Sequence, residues 1–241
     1  MSESLLAVFD RICIINLPER SDRRRAVTRE LAKQGLAVDG NRVRFTAAIR
    51  PAEAGDFPSI GARGCFMSHL QTLQQAQQDG VQRLLVLEDD VMFASAMAQA
   101  ASDLGDVMRG SGWQLAYPGH CLEAAAGPLR WLRSDEPLVC AHCYAVSGAA
   151  LPLLIKHLQA CLERPSGHPL GSPMHYDGAL SLLRQQRPDL VTLVASRSLA
   201  GQRSSRSDII GPSWLDRWSL PGMAPLARGL RNQWRRLADS F

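Results

Sequence analysis

Residues Arg83-Leu84-Leu85-Val86-Leu87-Glu88-Asp89-Asp90-Val91 set four consecutive aliphatic side chains directly before three carboxylates. Such a run, bounded by charge, suits a strand buried on both faces, as in the parallel sheet of an α/β domain. Sheets of that kind bind ligands at the carboxyl ends of their strands. Adjacent acids there repel one another unless a cation sits among them, and hard divalent ions prefer carboxylate oxygens. The pattern predicts a divalent metal at Glu88, Asp89 and Asp90.

The rest of the chain alternates strand and helix patterns, which argues a mostly parallel sheet between helical layers. Strands are expected at 11–17, 83–88, 113–117, 139–146 and 190–195, and helices at 21–34, 64–80, 93–108, 148–162 and 177–186. The first helix carries Arg23, Val27 and Leu31 along one stripe, so Arg23 continues the inward face into the ligand crevice. Residues 120–137 mix Gly, Pro and charge and read as an irregular insertion.

With 46% hydrophobic and 21% charged residues, the 241-residue chain has the composition of a soluble globular protein. No apolar run approaches the roughly 20 residues needed to span a bilayer. The first six residues lack the basic and apolar regions of a secretory signal, so a cytoplasmic location is expected. Six scattered cysteines fit reduced thiols; Cys140 and Cys143, three apart on an expected strand, would point to opposite faces and form no zinc site. A two-domain division is expected: 1–212, then 213–241, a basic amphipathic tail of Trp, Leu and Arg suited to an anionic membrane surface or to docking on the main domain.

Within the acid cluster, Glu88 and Asp90 would share a face of a continuing strand while Asp89 points away. Asp177 follows a Gly/Pro loop at a helix start, the place of a general base or of an ordinary N-cap. His69 either helps to hold a donor or is a satisfied structural histidine. Arg203 or Arg206 would serve as anion partner in a loop folding over a diphosphate, unless the segment is simply a basic loop.

These residues resemble glycosyltransferase family 25, the lipopolysaccharide-type and collagen-type galactosyl- and glucosyltransferases. The resemblance rests on Ile14-Ile15-Asn16-Leu17 with Arg20 and Asp22-Arg23-Arg24, on Gly64-Cys65-Phe66-Met67-Ser68-His69, and on Leu87-Glu88-Asp89-Asp90-Val91. His142 to Ser147, Asp177 and Ser207-Asp208-Ile209 follow in order, so that it covers residues 11 to 210. It implies a single-domain α/β glycosyltransferase A-type (Rossmann-like) fold, a UDP-sugar donor, Mn2+ or Mg2+, and inversion at the anomeric carbon. Glu88, Asp89 and Asp90 would match the metal motif, Asn16, Leu17, Arg20 and Arg24 the nucleotide side, and Ser68 and His69 the donor-side helix.

The expected function is transfer of galactose or glucose from a nucleotide diphosphate sugar to a saccharide or glycolipid acceptor. The setting would be lipopolysaccharide or other cell-surface glycan synthesis at the inner membrane face, with no nucleic-acid partner. Two rivals remain: a receiver-like Mg2+-binding signalling domain, in which acids after a first strand bind the metal, and an inactive sugar-binding module of the same fold. The receiver would need a lysine at a late strand end, whereas Lys156, the only later lysine, falls in an expected helix.

Overall fold

A computed structural model describes residues 5–99 and 101–203. The expected tail at 213–241, the domain boundary at 212 and Arg206 lie outside the described residues. A short 3-10 turn at Leu5–Val8 leads into β1 (Arg11–Asn16), α1 (Ser21–Lys33), β2 (Val43–Ala47), α2 (Ile60–Gln78) and β3 (Arg83–Glu88). Then come β4 (Val91–Phe93), α3 (Ala96–Gln99), α4 (Ala101–Arg109), β5 (Leu115–Tyr117), β6 (Trp131–Arg133) and β7 (Cys143–Ser147). The chain continues through α5 (Leu151–Glu163), α6 (Tyr176–Gln186), β8 (Thr192–Ala195) and β9 (Ala200–Gln202).

The main sheet has the order β2-β1-β3-β7-β5-β8-β6. Five of its seven strands run one way, and β7 and β6 run against them. The α/β class with a mostly parallel central sheet is as expected. A receiver domain is poorly served by this sheet, because its doubly wound form is built on parallel strands and here β3 pairs antiparallel with β7. Lys156 lies within α5, as expected.

Alternation along the strands feeds two cores. Cys13, Leu84, Val86, Tyr144 and Val146 pack with α2, α5 and α6 on one face. Ile12, Ile14, Leu85, Leu87 and Ala145 pack with α1, α4 and the N-terminal turn on the other. All of these are buried, so the uninterrupted apolar runs of β1 and β3 are those of strands covered on both sides.

Several boundaries differ from the sequence pattern. Helix α2 starts four residues before Gly64, because the Ser59 hydroxyl accepts from the Ala62 N–H as an N-cap. The expected helix at 93–108 opens instead as strand β4, which pairs with β9, a strand too short to be read from sequence. The expected strand at 139–146 begins only at Cys143, because Cys140 takes a left-handed backbone with φ 80°. Its thiol then lies 3.1 Å from that of Cys121, so Cys140 is not one of two residues on a common strand.

Candidate active site

The parallel register sets Ile15 beside Glu88, which brings the carboxyl ends of β1 and β3 together. The strand stops at Glu88, and Asp89 and Asp90 form a turn; they are not on a continuing strand with alternating faces. Asp89 therefore turns toward β1 and α1. Asn16 Nδ2 donates to its Oδ2 at 2.7 Å and Arg23 to its Oδ1 at 2.8 Å.

Asp90 is held differently. Arg23 lies 3.7 Å from its Oδ2, while its buried Oδ1 has no hydrogen-bond partner among the described residues. Burial, with the Glu88 charge next in weight, pushes the Asp90 carboxyl up to about 7 against the opposing pull of Arg23. A buried oxygen without a donor beside a second carboxylate suits a divalent cation, so the residues present fit the metal expected from sequence.

Glu88 sits in a web of polar contacts. Its backbone N–H donates to the His142 carbonyl at 3.0 Å, and Gln202 Nε2 donates to its Oε2 at 2.9 Å. His69 Nε2 lies 3.7 Å from its Oε1. Burial raises the Glu88 carboxyl, but His69, His142 and Gln202 together outweigh it and hold the group below the usual carboxylate range. The buried His69 ring is stacked on Tyr176 at 4.1 Å and bonded through Nδ1 to the Tyr144 hydroxyl at 3.0 Å, and Tyr144 meets Tyr176 at 2.7 Å.

Asp177 lies in the first turn of α6, whose N-cap is His175, so it is not the capping residue. Its carboxylate accepts the Cys140 N–H at 2.9 Å and the Gly178 N–H at 2.8 Å. Burial first, and the Glu88 and Asp177 charges after it, raise the Cys65 thiol, so both carboxylates lie near this cysteine.

Other expected contacts are not gathered there. Arg24 lies over the Phe45 ring at 4.1 Å, and Arg20 pairs with Asp22 at 3.0 Å through two bonds. Leu17 supplies a carbonyl that accepts from Arg20 N at 2.8 Å. The Ser68 hydroxyl donates to Gly64 O at 2.6 Å and accepts from Ile49 N at 2.8 Å, fastening the segment after β2 to α2. Arg203 meets the acid turn through its backbone, its main-chain N–H donating to the Asp90 carbonyl at 2.7 Å, while its guanidinium lies 3.7 Å from Glu30 of α1.

Residues 9–116, which carry β1, α2 and the acid turn, match the family profile described as Glycosyltransferase family 25 (LPS biosynthesis protein). The glycosyltransferase 25 family member of Anopheles gambiae is 31% identical over 145 residues, which are 53% of this chain and 24% of that protein. Procollagen galactosyltransferase 2 of Mus musculus is 26% identical over 199 residues, 75% of this chain and 31% of its own. The chain thus spans a quarter to a third of the length of these relatives. A solved glycosyltransferase involved in the glycosylation of the major capsid of PBCV-1 superposes with a TM-score of 0.41 at 14% identity, covering 66% of this chain and 70% of that one.

Gln202, Tyr144, Tyr176 and Cys65 also stand around Glu88 and His69; Cys65 and Tyr144 lie inside motifs read from the sequence, which gave them no role of their own. Cys65 and His69 share a helix face at a spacing of four, a signal present in the sequence. Gln202 carried none, since its approach to Glu88 depends on the pairing of β9 with β4.

Proposed function

We propose that the chain is a metal-dependent, inverting hexosyltransferase that uses a UDP-sugar and Mn2+ or Mg2+. The observation that carries the reading is the Glu88 and Asp90 pair at the carboxyl end of β3, with the partnerless buried Oδ1 of Asp90. Glu88 and Asp90 would hold the cation. Asp89, both of whose oxygens are already bonded, would position Asn16 and Arg23. A bound divalent ion neutralises charge that develops on a departing diphosphate.

The residues of the chain have distinct tasks in this reading. Arg23 supplies positive charge beside the acids, suited to phosphate oxygens, and the Arg203 guanidinium, 3.7 Å from Glu30, would have to leave that carboxylate to do the same. Asp177, fixed by two backbone N–H groups, accepts the proton of the acceptor hydroxyl, which then attacks the anomeric carbon from the face opposite the nucleotide. His69 shapes the donor side, and residues 120–137, which lead into Cys140 beside Asp177, are the place for acceptor choice.

A cell-surface saccharide or glycolipid acceptor, as in lipopolysaccharide synthesis, is the partner we favour. Residues 213–241 are proposed as a separate tail that binds the anionic face of the inner membrane from the cytoplasm. No helix among the described residues is long and apolar enough to cross a membrane. Loss of vesicle binding on removal of 213–241 is the expected result, and unchanged binding rejects the tail.

The deciding experiment is turnover of UDP-galactose and UDP-glucose by the purified chain with and without Mn2+. Asp90→Asn is expected to abolish metal-stimulated turnover. Asp177→Asn is expected to lower transfer by about 10²- to 10⁴-fold while the donor still raises the melting temperature. Absence of both donor binding and turnover would leave a sugar-binding module or no transferase at all.

A further inference from the structure

The cleft holds a second donor set, chemically unlike the acid turn. The Cys65 thiol, a His69 ring nitrogen and a Glu88 carboxylate oxygen all lie within 4.8 Å of one another. Cys65 and His69 are one turn apart on α2, and Glu88 ends the strand that faces them. From these residues we infer that Cys65, His69 and Glu88 form a binding site for a borderline divalent cation, Zn2+ above all, distinct from the hard-ion site on Glu88 and Asp90.

The geometry suits such an ion. Zinc bonds of about 2.0 Å to nitrogen and oxygen and about 2.3 Å to sulfur put ligand atoms roughly 3.5 Å apart, so the trio needs to close by only about 1 Å. His69 Nε2 already stands 3.7 Å from Glu88 Oε1, too far for a hydrogen bond and near the separation of two ligands. Thiolate and imidazole select zinc over magnesium, which takes oxygen ligands almost alone.

The surroundings of His69 supply a second, independent observation. Its Nδ1 is bonded to Tyr144, which is bonded to Tyr176, and the ring is stacked on Tyr176. When Nδ1–H donates into this pair of hydroxyls, the lone pair is on Nε2, the nitrogen 3.7 Å from Glu88 Oε1, the arrangement by which metal-bound histidines are oriented. Cys65 is a free thiol, and among the described residues it makes no hydrogen bond that ligation would break. On binding, the Cys65 S–H bond breaks, its proton leaves to solvent, and a sulfur–metal bond forms with no change of oxidation state. A water completes the set.

The inference shares Glu88 with the proposed transferase site, yet its test needs no sugar donor. The full chain, stripped with chelator and kept reduced, is titrated with Co2+ as a spectroscopic stand-in for Zn2+. A thiolate-to-cobalt charge-transfer band, erased by added Zn2+, is expected in the wild type and in Cys121→Ser, and is lost in Cys65→Ser. Tyr144→Phe is expected to weaken binding by about ten- to a hundredfold. Should Cys65→Ser fold poorly, mass spectrometry of iodoacetamide-treated wild type replaces it, with Zn2+ shielding Cys65.

No charge-transfer band in the wild type, a band that survives in Cys65→Ser, or labelling of Cys65 unaffected by Zn2+ would each overturn the inference. A band without sugar turnover would uphold it while sinking the transferase reading. Turnover with Mn2+ but no band would do the reverse.

Discussion

Asn16 and Arg23 hold one oxygen each of Asp89, at 2.7 Å and 2.8 Å, in a site where Asp89 is almost fully buried. The three acids of the turn are therefore not interchangeable. Removing the guanidinium leaves a buried charge with one donor fewer, so Arg23→Ala is expected to cost about 2 kcal/mol in urea denaturation. Asp90→Asn should instead leave stability unchanged or raise it, since its carboxylate lacks a full set of donors. Equal losses in the two variants would contradict this division of labour. That three adjacent acids mark a cation site could be read from the sequence; which of them turns inward could not, because it depends on Asn16, 73 residues away.

Helix α2 shows why a glycine opens the motif Gly64-Cys65-Phe66-Met67-Ser68-His69. A Cβ at Gly64 would stand 2.6 Å from the Ile49 carbonyl oxygen, and the Ser68 hydroxyl takes the N–H of the same Ile49. Two points of one helix thus grip one loop residue, and a methyl group at Gly64 must push that loop away. Gly64→Ala is expected to destabilise the chain by about 1–3 kcal/mol, read as a drop in melting temperature. At this level the core-facing stripe of α1, Val27 and Leu31, was plain in the sequence. The kink at Cys140, the start of α2 at Ile60 and the ribbon of β4 with β9 were hidden, because each is set by tertiary pairing and not by local pattern.

Across the molecule, polar groups enclosed by the two cores tie stability to pH. Burial holds both His120 and His157 below the ordinary histidine value of 6.5, and each ring is bonded to a backbone carbonyl, Ala195 O at 2.7 Å and Ala179 O at 3.0 Å. Below 6.5 the unfolded chain takes up protons that the native histidines refuse, so their contribution is intact above that pH and is lost as the pH falls through it. Melting temperatures are expected to fall between about pH 7.5 and about pH 5.5, and His157→Gln should flatten that slope. A slope unchanged in the variant would assign the acid sensitivity elsewhere. The α/β alternation behind this architecture was visible in the apolar runs, whereas the reversed direction of β7 left no local trace.

Strand β3 sends Leu84 and Val86 into one core and Leu85 and Leu87 into the other. Inserting one residue at the start of Arg83–Glu88 would exchange the two sets and swing Glu88 to the opposite side of the sheet, away from His69. Length changes in this strand are thus tolerable only in pairs. The acid turn is thereby held in phase with the hydrophobic interior: the same alternation that fills both cores aims the metal-side carboxylate.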